Sequence, residues 1–120
     1  MITITNRQGK HLLVVVEGLE NVPAIIFSNS LGTDHGMWQP QVASLKQQFK
    51  VITYDTRGHG QSDVIENTTL QNLGEDVIDI LDALNIEKAH FCGISMGGMT
   101  ALWLGIYQPT RFYSITVANS

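Results

Sequence analysis

Short apolar runs alternate along this chain with apolar stripes of helical spacing. Residues 2–5 and 11–16 are rich in β-branched and apolar types and are separated by the turn-forming stretch Asn6-Arg7-Gln8-Gly9, which predicts an opening antiparallel hairpin. Residues 24–28, behind Pro23, form a continuous apolar run of the kind found in strands covered on both faces. Trp38, Val42, Leu45 and Phe49 recur at spacings of four, three and four, which predicts a helix starting near Met37 with Pro40 in its first turn. Residues 51–54 read as the next strand. Leu70, Leu73, Val77, Ile80, Leu81 and Leu84 trace a longer helix, with Thr68 and Gln71 placed for a capping box and Asn85 for a left-handed end. A strand at 89–92, a helix at 97–107 and a strand at 114–118 follow. Strands alternating with helices predict an α/β fold with a mostly parallel, doubly wound sheet. Gly74 interrupts the longer helix at a cost of about 1 kcal/mol relative to alanine, which leaves close packing or an incidental glycine as equal readings.

The chain has 120 residues, 43% hydrophobic and 15% charged, which suits one globular domain with a real core and excludes a disordered or coiled-coil chain. Eleven acidic against seven basic residues give a net charge of −4, so no basic field exists to hold a nucleic-acid backbone. A single cysteine, Cys92, cannot close an intrachain disulfide, and the first residues lack the order of an export signal; both point to the cytoplasm. Apolar runs reach only five residues, as at 12–16, against the roughly 20 that span a bilayer, so no membrane role is expected.

The chemistry gathers at Gly93-Ile94-Ser95-Met96-Gly97, a G-x-S-x-G pattern lying between an apolar strand and a helix. A serine at such a turn adopts strained backbone angles, and very small residues two positions to either side let strand and helix close around it. Ser95 is thereby expected at the carboxyl end of a parallel strand, its hydroxyl open to substrate as a nucleophile. The N-terminus of the following helix aims unpaired N–H groups at the same spot, which makes the Met96 N–H the natural first donor to an oxyanion. The glycine spacing fits neither a phosphate-binding P-loop nor a dinucleotide fingerprint. His11, His35, His59 and His90 are too scattered for a recognisable metal motif, so no metal and no cofactor are expected. Asp55 and Asp63 read as loop hydrogen-bond partners, since nothing in the sequence sets either beside an imidazole. Met37, Met96 and Met99 are expected to fill gaps near Ser95, and Cys92 to act as a small buried hydrophobe.

Three stretches together resemble the α/β-hydrolase family: Ser28-Asn29-Ser30-Leu31-Gly32-Thr33-Asp34, Asp55-Thr56-Arg57-Gly58-His59-Gly60-Gln61-Ser62, and Cys92 through Gly98. Many of that family carry His-Gly after the third strand; Asn29-Ser30 here is more similar to its enol-lactonase branch. The resemblance implies that the Leu31 N–H is the second oxyanion donor and that Arg57 braces the sheet edge rather than clamping a substrate carboxylate.

The resemblance further implies a chain order of serine, then acid, then histidine. The 25 residues after Ser95 contain neither acid nor histidine, so the chain is expected to be the N-terminal part of an α/β-hydrolase domain, inactive alone. A helical cap and two strand-helix units bringing the Asp and the His are expected beyond it; only if the chain were truly 120 residues would its last strand have an unpaired edge open to self-association. With those groups supplied, the implied activity is that of a carboxylic ester hydrolase in aromatic catabolism. It would act on a small ester or lactone, first of all opening 3-oxoadipate enol-lactone to 3-oxoadipate. The alternatives are another carboxylesterase, a carbon–carbon bond hydrolase, a perhydrolase or an inert fragment.

Overall fold

Residues 1–118 are described by a computed structural model, in which the apolar runs become six strands and the stripes three helices. The strands are β1 (Ile2–Thr5), β2 (His11–Gly18), β3 (Ala24–Ser28), β4 (Lys50–Tyr54), β5 (Ala89–Ile94) and β6 (Phe112–Ala118). The helices are α1 (Gln39–Leu45), α2 (Leu70–Ala83) and α3 (Met96–Tyr107). One mixed sheet holds all six strands in the order β1-β2-β4-β3-β5-β6. The opening hairpin is antiparallel, as expected, and β2 also pairs antiparallel with β4, while the β4-β3-β5-β6 part is parallel throughout.

That order explains the layers. From β3 the chain moves one way across the sheet to β4, then turns back past β3 to β5 and on to β6. Right-handed crossovers then force the first helix onto one face and the next two onto the other. The cores divide accordingly. Ile26, Ile52, Tyr54 and Phe91 face Val77, Ile80, Leu81, Ala101 and Leu104 of α2 and α3, whereas Phe27 and Val51 face Trp38 and Val42 on the α1 side. Alternate residues of β3 and β4 are thus buried on opposite faces, which is why these strands read as continuous apolar runs.

Several boundaries differ from expectation, each for a local reason. The helix expected from Met37 begins as a single 3₁₀ turn, His35–Trp38, opened by Asp34, whose carboxylate accepts the Gly36 N–H at 2.8 Å. Pro40 then sits in the first turn of α1. The capping box of α2 is formed by Thr69 and Asn72, one residue later than the expected Thr68 and Gln71. The Thr69 hydroxyl accepts from Asn72 N, and the Asn72 side chain accepts from Thr69 N. Thr68 instead donates its hydroxyl to Ile65 O. Asn85 takes the expected left-handed conformation, with φ 57°. Gly74 marks close packing, because a Cβ there would overlap the Trp103 ring of α3.

Arg57 does brace the fold. Its side chain is buried and bonds both carboxylate oxygens of Asp76 on α2, at 2.7 and 2.8 Å, while its Nη2 also donates to Gln8 Oε1 in the β1–β2 turn. Asn6 donates to the same Asp76 oxygen, so one acid ties the hairpin, the loop after β4 and α2 together. No helix among the described residues is long and apolar enough to cross a membrane.

Candidate functional site

The carboxyl ends of β3, β4 and β5 lie side by side, because β3 pairs in parallel with both of the others. Sheets of this kind bind ligands at that rim, where the connections leave to opposite faces. Each of the three motif stretches starts there: residues 28–34 after β3, 55–62 after β4, and the turn at Ser95 after β5.

The Ser95 turn is built by the lack of side chains. Ser95 has φ 55° and ψ −111°, a conformation that costs a side-chain-bearing residue about 1–3 kcal/mol. The turn can form because β5 enters it and α3 leaves it at minimal separation. A Cβ on Gly93 would overlap Gly97 O, and one on Gly97 would overlap Ser28 O. Main-chain bonds lock the turn on both sides: Ser95 N donates to Ala118 O of β6 at 3.1 Å, and Gly97 N donates to Asn29 O at 3.1 Å. Ser95 itself is exposed. The Met96 N–H, first in α3, donates to no acceptor among the described residues, and the positive end of the helix lies behind it.

The loop after β3 is held by side chains instead. Asn29 is fully buried, at 0% exposure, and spends both ends of its amide: Nδ2 donates to Tyr54 O at 3.1 Å and Oδ1 accepts the Trp38 indole N–H at 2.7 Å. Its carbonyl takes the Gly97 N–H described above. One residue thus links β3, β4, the 3₁₀ turn and α3. Beside it Ser28 and Tyr54 share a hydroxyl bond of 2.8 Å, and burial pushes the Tyr54 phenol far above its ordinary pKa, so it stays neutral. Further on, Thr33 donates through N and Oγ1 to Ser30 O. Between these anchors Leu31 is 71% exposed, and its N–H also has no acceptor among the described residues.

Asp55 is a loop hydrogen-bond partner, as expected, but it also lies beside an imidazole, which its neighbours in sequence do not announce: His35 Nδ1 is 2.7 Å from Asp55 Oδ1, and the His35 main-chain N–H reaches the same oxygen at 2.9 Å. Gln61 N donates to Oδ2 at 2.9 Å. Burial pushes the Asp55 pKa upward, but the donors from Gln61 and His35 outweigh it and leave the group below its ordinary value. Asp63 also meets an imidazole, more loosely: His11 N donates to it at 2.8 Å, and the His11 ring lies 3.6 Å away at the surface.

Asp34, His35 and Asp55 offer possible metal-ligand atoms within 4.8 Å of one another. Both Asp55 oxygens and Asp34 Oδ1 already accept N–H donors, however, so hydrogen bonding accounts for the cluster without a cation. The remaining histidines are engaged elsewhere, His59 Nδ1 donating to Arg57 O and His90 Nδ1 meeting Ser114 Oγ. No hydrogen bond joins an imidazole to Ser95 among the described residues. Met37 packs in the small cluster with Phe27 and Trp38, but Met99 is 52% exposed because it lies on the outer face of α3, contrary to the expectation that it fills a gap. Cys92 is half-buried, and burial pushes its thiol pKa up.

Comparison with known proteins agrees with this geometry. The chain is 85% identical over 119 residues to 3-oxoadipate enol-lactonase 1 of Acinetobacter baylyi, covering 99% of this chain and 45% of that protein. It is 52% identical over 104 residues to 3-oxoadipate enol-lactonase 2 of the same organism, covering 86% and 39%. Its fold superposes on the crystal structure of the enol-lactonase from Burkholderia xenovorans LB400 with a TM-score of 0.89 at 42% identity, covering 92% of this chain and 44% of the other. The chain thus spans less than half the length of the curated relatives it matches. The family model described as alpha/beta hydrolase fold matches residues 23–120, the stretch from β3 onward that contains every motif discussed above, and the chain belongs to that family.

Proposed function

We propose that this chain is the nucleophile-bearing segment of a cofactor-independent serine hydrolase that opens a lactone, with 3-oxoadipate enol-lactone as the first candidate substrate. The observation that carries the reading is Ser95 itself, exposed and held at φ 55° beside an uncommitted Met96 N–H at the head of α3. The substrate class is supported by the names of the relatives at 85% and 52% identity.

In this reading Ser95 Oγ attacks the lactone carbonyl carbon while a general base takes its proton. The negative oxygen is met by the N–H groups of Met96 and Leu31, both main-chain donors indifferent to the side chains they carry. Cleavage of the ring C–O bond releases an enol oxygen that takes the proton back from the base. The leaving group stays tethered, because the substrate is cyclic. Water, activated by the same base, then attacks the Ser95 acyl ester, giving a carboxylate and restoring the serine. The free enol tautomerises to the ketone. The base and the acid that orients it belong, in this reading, to the length of the relatives outside this segment.

The test is Ser95→Ala in the full-length protein, assayed on a panel of lactones, aryl esters and dienoic ketones. Turnover is expected to fall by several orders of magnitude on a lactone substrate. Undiminished turnover would remove Ser95 from the mechanism, and activity confined to aryl esters or dienoic ketones would move the substrate class.

A further inference from the structure

Leu31 is exposed and its N–H has no acceptor among the described residues, so the position of its amide is set by whatever fixes the chain on either side. On the N-terminal side that is Asn29, two residues away, clamped to Tyr54 O, Trp38 and Gly97. On the C-terminal side the first contact that leaves the loop for the sheet is His35, four residues away. Its ring and its main-chain N–H both reach Asp55 Oδ1, at 2.7 and 2.9 Å. Asp55 is an unyielding anchor. Its side chain is 1% exposed, it leads directly out of β4, and its other oxygen is taken by Gln61 N.

We propose that the Asp55–His35 pair is a positioning element for the reaction, setting the Leu31 amide where the oxyanion forms. The inference rests on the reading of Leu31 and Met96 as oxyanion donors. Because Asp55 is a carboxylate, the short contact requires the proton on His35 Nδ1, which makes it a charge-assisted bond of the stronger kind. The ring is 25% exposed, so it fixes the loop from the rim and contributes little to the core.

The two donors engage the substrate oxygen fully only once it carries negative charge, so misplacing one of them weakens the transition state more than the bound substrate. Loss of a donor in such a site lowers kcat by about 10²–10³. Loosening one of two anchors should give part of that loss. The variants discriminate positioning from mere stability. His35→Ala removes the ring donor but keeps the main-chain bond. His35→Asn restores a donor at nearly the Nδ1 position, and His35→Gln carries the same amide one atom too far.

The experiment measures kcat, KM and thermal midpoint for the full-length enzyme and these three variants on a lactone substrate, with Ser95→Ala in parallel. His35→Ala and His35→Gln are expected to lower kcat by about tenfold or more with KM within about twofold, and His35→Asn to recover most of the loss. A His35→Ala kcat within about twofold of the parent overturns the proposal, as does an equal loss in His35→Asn or a loss seen only in KM. Should His35→Ala fail to fold, His35→Gln against His35→Asn decides the same question. An active Ser95→Ala enzyme strikes instead at the underlying mechanism, whatever the His35 variants do.

Discussion

The Ser95 turn and the loop after β3 face each other across the same rim of the sheet, yet they are held in opposite ways. The turn depends on atoms that are not there: Gly93 and Gly97 leave no room for a Cβ, and only main-chain bonds to Ala118 and Asn29 complete it. The loop depends on atoms that are: the amide of Asn29, the indole of Trp38, the carboxylates of Asp34 and Asp55 and the ring of His35. Steric exclusion makes a stiff, strained element that tolerates almost no substitution. Side-chain bonding makes an element whose parts can be exchanged for others of matching geometry. The rim therefore has one fixed side and one adjustable side.

That contrast can be broken by experiment. Gly97→Ala should have the largest effect, destabilising by about 3 kcal/mol or more in urea unfolding, because its Cβ meets main-chain atoms of β3 that cannot step aside. A loss under about 1 kcal/mol would mean that the turn relaxes and is not stiff. Asn29→Leu comes next. It leaves the Trp38 N–H and the Tyr54 carbonyl without partners in a buried place, at about 2 kcal/mol by the same measurement, and a neutral result would show that water or a shifted Trp38 replaces the amide.

Ser95→Gly should move stability the other way, by about 1 kcal/mol, since glycine adopts φ 55° without strain, while turnover in the full-length enzyme disappears. Unchanged or lower stability would place no strain at the turn. The smallest effect concerns acid. The folded-state pKa of Asp55 lies below its unfolded value of about 4, so its contribution is complete above that pH and is lost as pH falls through the folded value. The stability difference between the parent and Asp55→Asn should accordingly narrow as pH drops below about 4, and a difference independent of pH would remove the ionised carboxylate from the loop's support.

The different construction of the two sides also explains how much of each could be read in advance. The turn at Ser95 and the parallel sheet around it were legible because they rest on residue size and local periodicity, whereas at Gly74 close packing and an incidental glycine stayed equal readings until the fold set the Trp103 ring against it. The pairing of His35 with Asp55 was not legible, since nothing near either residue in sequence points to the other. Twenty positions separate them, and only the passage of the chain from β3 through α1 to β4 brings the ring to the carboxylate. Asn29 was noted as a departure from a family pattern, but nothing in its neighbours announced that it would bond Trp38 on one side and Tyr54 on the other. The cap of α2 slipped by one residue for a related reason: Asn72 serves at the third helical position as Gln71 was expected to, and two adjacent threonines could not be told apart by pattern.

What the sequence by itself determined is the set of elements, their apolar faces and the one place where a serine must leave a strand at a positive φ, because these follow from side-chain volume and spacing within a few residues. What only the tertiary structure decided is the partnership of polar groups at the rim: Asp76 for Arg57, Asp55 for His35, and Asn29 for three other elements at once. A buried polar atom takes a partner wherever the folded chain supplies one, and that position depends on strand order and crossover hand rather than on distance along the sequence.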